Sequence, residues 1–139
     1  MRLTSFTDYG LRALMRMASD PERVFSTAEI AEEFKVSRNH LNKIMQRLAH
    51  HGIVDTRRGA GGGAILARAA SEIGLGEIIR LLEEGQSLVE CFSPIGDCSV
   101  TPVCRLKHTL AAAEAAFLAE CDRKTLADIA LPAEKPAIA

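Results

Sequence analysis

The sequence has no hydrophobic run approaching the roughly 20 residues that a membrane-spanning helix needs. Its opening, Met1-Arg2-Leu3-Thr4-Ser5-Phe6-Thr7-Asp8, has no apolar signal core. Neither a membrane span nor a secretory leader is expected, and the expected compartment is the cytoplasm. Paired C-x-x-C motifs are also absent, which argues against a zinc ribbon or a thioredoxin-type redox site. There is no internal repeat and no low-complexity tract. No carboxylate pair, nucleophile–base set or cofactor loop can be assembled, so an enzyme is not expected. In a reducing compartment the four cysteines are expected as free thiols or metal ligands rather than as two disulfides.

What is present is a chain of 139 residues, 47% hydrophobic and 25% charged. That suits one compact domain, or two small lobes sharing a core, and excludes a disordered polymer. The net charge of −1 conceals two poles: residues 1–68 carry +4 and residues 69–139 carry −5. Six of the basic residues lie between Lys35 and Arg58, against Asp55 alone. Such a cluster is the electrostatic footprint of a polyanion partner, although a solvated helix face would look the same by charge alone.

Hydrophobic spacing divides the chain into elements. Leu11, Leu14, Met15 and Ala18 form one stripe of a first helix, with Asp8, Arg12 and Arg16 along the opposite face. Ser26-Thr27-Ala28-Glu29 reads as a capping box opening a short second helix buried through Ile30, Ala31 and Phe34. Ser37 caps a third helix with the stripe Leu41, Ile44, Met45 and Leu48, and Gly52 follows its end. Two strand-forming runs, Ile53–Thr56 and Ala64–Ala67, flank a glycine-rich tip. The order is that of a winged helix-turn-helix. The pattern Gly59-x-Gly61-x-x-Ala64 also fits a dinucleotide-binding fingerprint, but no buried strand precedes it and helices surround it, so the glycines are assigned to the wing tip. Leu75, Ile78, Ile79 and Leu82 mark a fourth helix that Gly85 ends. Residues 86–101 have no period. Thr101-Pro102 is expected to restart a helix over 102–122, with Leu106, Leu110, Ala113, Phe117 and Cys121 on its stripe. Such a helix is about 30 Å long. Its alanine-rich surface points to a dimer interface more than to packing within its own domain.

Two sets of residues can carry chemistry. The third helix turns Arg38, Asn39, Asn42, Lys43 and Gln46 away from its apolar stripe, and Ser37 and His40 share its first turns. Arg can chelate guanine and Asn or Gln adenine in a major groove. Arg47, Arg57 and Arg58 are better placed for phosphates, which set register without reading sequence. The second set is Cys91-x6-Cys98-x5-Cys104, three thiols in one glycine- and proline-bearing loop. With Thr101 as cap, Cys104 falls in the first turn of a helix, where free amides and the helix dipole favour a thiolate. Arg105 and Lys107 can offset its charge. Cys121, on the long helix's stripe, reads instead as a buried structural thiol. Three thiolates leave a four-iron cubane or a tetrahedral zinc one ligand short. Asp8, Asp97, His108, Cys121 or a small molecule can complete the set. Spacing ranks Asp8 no higher than His108, because an i,i+4 ion pair with Arg12 already accounts for it.

Several stretches together resemble a known family: Leu3–Leu14, Val36-Ser37-Arg38-Asn39-His40, Arg58-Gly59 with Gly62-Gly63, Ser87–Cys91, Thr101–Lys107 and Phe117-Leu118. They resemble the NsrR-type nitric-oxide-sensitive repressors of the iron-sulfur winged-helix regulators, a family that also includes IscR. The likeness runs from residue 1 to about 131, and the cysteine spacing with its flanks is its most specific part. The resemblance implies a mostly α fold, α+β only through the small wing hairpin, with a long C-terminal dimerisation helix. It implies a homodimer that binds a pseudo-palindromic operator in double-stranded DNA, with nitric oxide as effector. It also implies one iron-sulfur cluster per subunit, 4Fe-4S in preference to 2Fe-2S, held by Cys91, Cys98, Cys104 and the partner subunit's Asp8. Residues 1–68 are then the DNA-binding region, 69–131 the cluster loop and dimerisation helix, and 132–139 a flexible tail. Ala60 and Ile65 replace wing residues that are often Lys and Arg in the family, which weakens the expected grip of the wing. Other readings are a regulator responding to iron-sulfur status or redox state, a regulator with a structural zinc, and a metal-free one in which Cys91 and Cys98 pair on oxidation.

Overall fold

A computed structural model describes residues 2–133. The expected tail at 132–139 lies outside the described residues from residue 134 onward. Five α-helices and one hairpin follow in the order α1 (Ser5–Ala18), α2 (Thr27–Phe34), α3 (Arg38–His50), β1 (Val54–Arg57), β2 (Gly63–Leu66), α4 (Leu75–Leu82) and α5 (Arg105–Asp122). Single 3-10 turns occupy Ala70–Glu72, Glu90–Phe92, Thr101–Val103 and Leu126–Ile129. The fold is mostly helical with a small antiparallel pair, a winged helix-turn-helix.

Local chemistry accounts for the helix starts. The Thr4 hydroxyl accepts the Thr7 amide at 3.2 Å to begin α1. At α2 both halves of the capping box form: the Ser26 hydroxyl accepts the Glu29 amide at 3.1 Å, and Glu29 reaches back to the Ser26 amide at 3.4 Å. Ser37 accepts the His40 amide at 3.0 Å and opens α3. The tight link between α2 and α3 is made by Lys35, held left-handed at φ 56°.

The core forms where α1, α3 and α4 meet. Leu14, Met17, Leu41, Ile44, Leu48, Ile78 and Leu82 are each exposed by no more than 1%. Leu126, from the segment after α5, is fully buried in the same cluster, as is Ile73 before α4. One core therefore spans the segments on either side of residue 68. Nothing on α5 is buried to this degree.

The buried face of α1 differs from the expected stripe. Ala13, Leu14, Met17 and Ala18 are buried, whereas Leu11 and Met15 are half-buried. Arg16, expected on the solvent face, is only 7% exposed. Its guanidinium binds Glu33 of α2 at 2.6 Å and donates to the Pro132 carbonyl at 3.2 Å. The reason is that α1 is covered on two sides, by α3 and α4 and by α2 with the returning chain, where Leu131 donates to the Met15 carbonyl at 3.1 Å.

A second difference lies at α5, which starts at Arg105 rather than Pro102. Thr101–Val103 close their own 3-10 turn without help from the Thr101 side chain, and Cys104 then turns extended (ψ 110°), so the turn cannot propagate. Cys104 is thus the residue capping α5, one step outside the helix where it was expected. The helix is about 27 Å long.

The wing pairs Val54 with Leu66, Asp55 with Ile65, Thr56 with Ala64 and Arg57 with Gly63. Phe25, before α2, adds a bridge to Ala64, exchanging both amide bonds at 2.8 and 2.9 Å. Gly63 makes this possible: a Cβ there would lie 2.1 Å from the Phe25 carbonyl oxygen. Replacing it by alanine must displace backbone, so Gly63→Ala is expected to cost about 2 kcal/mol of stability. A urea titration showing an unchanged midpoint would refute this.

Candidate nucleic-acid interface and metal centre

The exposed face of α3 is polar. Arg38, Asn39, Asn42, Lys43 and Gln46 are all exposed, while Leu41, Ile44, Met45 and Leu48 are buried beneath them. Ser37 is also exposed, with its hydroxyl oxygen engaged as the cap. Arg57 and Arg58 are exposed at the end of β1 and on the wing tip, beside the same helix-turn-helix unit. This arrangement offers a cationic, hydrogen-bonding ridge of the width a DNA major groove admits.

Two expected contact residues are held inward. The His40 ring lies 5.8 Å from Phe6 and meets Tyr9 edge to face at 5.6 Å, so it docks the start of α3 onto α1. The Arg47 guanidinium sits 4.5 Å from the centre of the Phe6 ring and donates from Nη1 to the Leu82 carbonyl at 3.2 Å. Arg47 is a strut between α1, α3 and α4 rather than a side chain free to reach a phosphate. Phe6 is four residues from Gly10 on the helix surface facing α3, and no short-range pattern links it to residue 47.

The cysteines lie between α4 and α5. Cys91 is in the turn Glu90–Phe92, Cys98 follows in irregular chain, and Cys104 caps α5. All three are half-buried free thiols. Among the described residues, no three His, Cys, Asp or Glu side chains converge on a metal-sized centre. Asp8 is engaged by Arg12 through two bonds, 2.8 Å and 3.2 Å, with both side chains about half exposed. Of the other ligands considered, Asp97 and His108 are exposed. Cys121 is half-buried against α4, and burial, followed by the neighbouring Asp122 and Glu120, pushes its thiol above the usual range. That suits the structural role expected of it.

Large apolar side chains gather exposed around the same loop: Ile95 at 93%, Val103 at 81%, Leu106 at 61% and Val100 at 52%. The far end of α5 is instead anchored. Arg80 of α4 binds Asp122 through two bonds of 2.6 and 2.7 Å. That hydrogen bond holds the Asp122 carboxyl below its ordinary range and the guanidinium above its own. Gly76 leaves room for the pair, since a Cβ there would fall 1.8 Å from Asp122 Oδ1. Residues 80 and 122 are too far apart in sequence for spacing to reveal them.

Comparison with known proteins places this architecture. Residues 3–131 match the Rrf2 family, described as an iron-dependent transcriptional regulator. This chain belongs to the Rrf2 family. Among solved structures, it is similar to IscR of T. potens, at 30% identity and a TM-score of 0.72 over 93% of this chain and 85% of that one. It is also similar to the oxidized form of Staphylococcus aureus CymR, at 29% identity and a TM-score of 0.71 over 99% and 100% of the two chains. A third relative is CymR of B. subtilis, described as its global cysteine regulator, at 27% identity and a TM-score of 0.70 over 94% and 96%. The family is one of DNA-binding transcriptional regulators. Among the described residues no helix is long and apolar enough to cross a membrane.

The iron dependence in the family's description is compatible with the donor set of this Rrf2 chain. Cys91, Cys98 and Cys104 are three unbridged soft ligands in a segment built of short turns, outside any α-helix or strand. The raised thiol of Cys121 has a measurable consequence. Less thiolate at a given pH means slower alkylation, so the pH–rate curve for Cys121 carbamidomethylation is expected to rise later than that of a small free thiol. Coincident curves, read by peptide mass spectrometry, would contradict the burial assigned to it.

Proposed function

We propose that this Rrf2 regulator is a homodimeric, NsrR-type repressor whose iron-sulfur cluster makes operator binding sensitive to nitric oxide. One observation carries the proposal: three half-buried, unbridged thiols share one long stretch without α-helix or strand among the described residues and end on the cap of α5. The nearby Arg105 and Lys107 balance the negative charge of a thiolate-held centre. We assign Cys91, Cys98 and Cys104 as ligands of a 4Fe-4S cluster, with the partner subunit's Asp8 as the fourth. When bound, the cluster supplies iron that reacts with nitric oxide.

The chain's own residues supply the rest. A carboxylate is a hard oxygen ligand and the weakest of the four for iron already held by sulfur. Asp8 also has a second partner at hand in Arg12, 2.8 Å away on the next turn of α1. Since α1 packs directly on α3, exchange of Asp8 between the two partners bears on the reading helix. A coupling of about 3 kcal/mol would change operator affinity roughly 150-fold. At the DNA, Arg38, Asn39, Asn42 and Lys43 enter the major groove from the start of α3, while Arg57 and Arg58 hold phosphates. Ser37 and His40 fix where the helix begins. Two copies of α3 in a homodimer match a pseudo-palindromic site, with half-sites about 34 Å apart or a multiple of that.

A second reading has a specific observation behind it. Since Cys91 and Cys98 are unbridged, half-buried thiols of one loop, that loop also suits a metal-free thiol switch in which the two pair on oxidation. Mass measurement of oxidised protein under non-reducing conditions separates this reading, through the loss of two hydrogens.

Anaerobically purified protein is expected to contain iron and acid-labile sulfide and to lose operator affinity on titration with nitric oxide. Colourless, sulfide-free protein that binds the operator unchanged would overturn the proposal. An Asp8→Ala variant is expected to retain a cluster with an altered nitric-oxide response; an unaltered one would return His108 to consideration. For the DNA face, Arg38→Ala should abolish preference for the operator, whereas Arg57→Ala should weaken all duplexes alike and lower the salt slope by about 1. Parent-like binding by both variants would mean that the assigned face is wrong.

A further inference from the structure

We propose that the end of α4, Leu82 to Glu84, is the mechanical link through which the cysteine loop sets the position of the recognition helix in its own subunit. Arg47 and Glu83 are its positioning residues. The proposal deepens the regulatory reading above, because it takes residues 86–104 as the sensing segment.

Leu82 is where three helices have no slack. It is 1% exposed. A Cβ on Gly10 of α1 would lie 2.7 Å from Leu82 Cδ1 and 3.2 Å from Ile44 Cγ2 of α3. The same residue's carbonyl accepts the Arg47 Nη1 hydrogen bond at 3.2 Å, and Arg47 is steadied by the Phe6 ring. The next residue, Glu83, accepts two bonds through Oε1, from the Thr4 amide at 2.7 Å and the Thr4 hydroxyl at 3.0 Å. Glu84 then stands 3.5 Å from His51 Nε2, at the residue that caps the end of α3. Three consecutive residues thus meet Arg47 in the last turn of α3, the cap of α1 and the residue that caps α3.

Restraint falls away over the next few residues, after the Gln86 amide donates back to the Glu83 carbonyl at 2.9 Å. Gly85 is left-handed at φ +82°, and a Cβ there would meet nothing within 4 Å. The chain from Gly85 to Leu88 borders a cavity of about 380 Å³, whose other walls include Thr4, Glu83 and Phe117. Leu82 is buried, whereas Ser87 and Leu88, which line this cavity, have room to move. A displacement of the cysteine loop reaches the body of the protein here, passing to the cap of α1 through Glu83 and Thr4, and to α3 through the Leu82 carbonyl with Arg47 and through Glu84 beside His51. Closely packed elements respond to such pulls by shifting together, because a packed core does not deform continuously.

The test needs neither metal nor DNA. In the full-length protein carrying Cys121→Ser, freed of bound metal by a chelator, iodoacetamide alkylates only the loop thiols, as peptide mass spectrometry verifies. Deuterium uptake is then followed across residues 38–50. Alkylation is expected to change uptake there at least about fivefold, the lower end of typical site-to-site couplings. Glu83→Ala should reduce that response to nearly none, and Glu83→Gln, which keeps an acceptor oxygen for Thr4, should restore it. Arg47→Leu, which removes the bond to Leu82, should also abolish it and provides the second arm if Glu83→Ala does not fold. An α3 that ignores loop alkylation in the parent, or responds equally in Glu83→Ala and Arg47→Leu, would overturn the link. Iron and sulfide content separately decides the cluster, so failure of one proposal is distinguishable from failure of the other.

Discussion

The fold turns on one close approach. Gly10, by having no side chain, lets α1 come near enough to α3 and α4 for Leu82 and Ile44 to fill the space between them. Burial of this seam is the main source of cohesion, with each fully buried aliphatic side chain contributing roughly 1.5–3 kcal/mol before entropy is counted. Because α3 is part of the seam, the helix that carries Arg38, Asn39, Asn42 and Lys43 is held by this close-packed contact. Because α4 is the other part, the chain entering the cysteine loop leaves from that same place.

The outer parts are held differently. The hairpin depends on Phe25 bonding to Ala64 and on Gly63 leaving backbone within reach. Helix α5 contributes no buried residue and is tied at one end by the forked Arg80–Asp122 pair. Its other end carries Leu106, and the loop before it carries Ile95, Val100 and Val103, all exposed. A helix so placed is suited to contact another molecule, and the Rrf2 fold assembled around it leaves its sulfur-bearing loop beside that surface. The buried end of α4 and the irregular cysteine-bearing loop are joined by a short stretch of chain.

Local features were legible. Ser26 with Glu29, Ser37, the α3 stripe and the wing glycines each act within a few residues, so their spacing is the signal, and each appears in the fold as expected. The polar face of α3 and the cysteine triad were visible for the same reason. Other assignments were not legible. Arg16 reads as a solvent residue by helical period, yet a second layer, α2 and the returning chain, covers it. The contacts of His40 with Phe6 and Tyr9 and of Arg47 with Phe6 are likewise set between helices rather than within a turn. The start of α5 was misplaced by one turn because Thr101-Pro102 fits both a helix cap and an isolated 3-10 turn.

What the amino-acid order determined alone was the set of elements, their caps, their apolar faces and the presence of three clustered thiols. These follow from hydrogen bonds and side-chain periods that span a turn or two of chain. Only the tertiary structure decided which polar side chains remain available for recognition, and that Thr4 would meet Glu83 and Arg47 the Leu82 carbonyl. Such pairings depend on how helices distant in sequence are brought side by side. That is governed by the fit of Leu82 against Gly10 and Ile44, which no local period encodes.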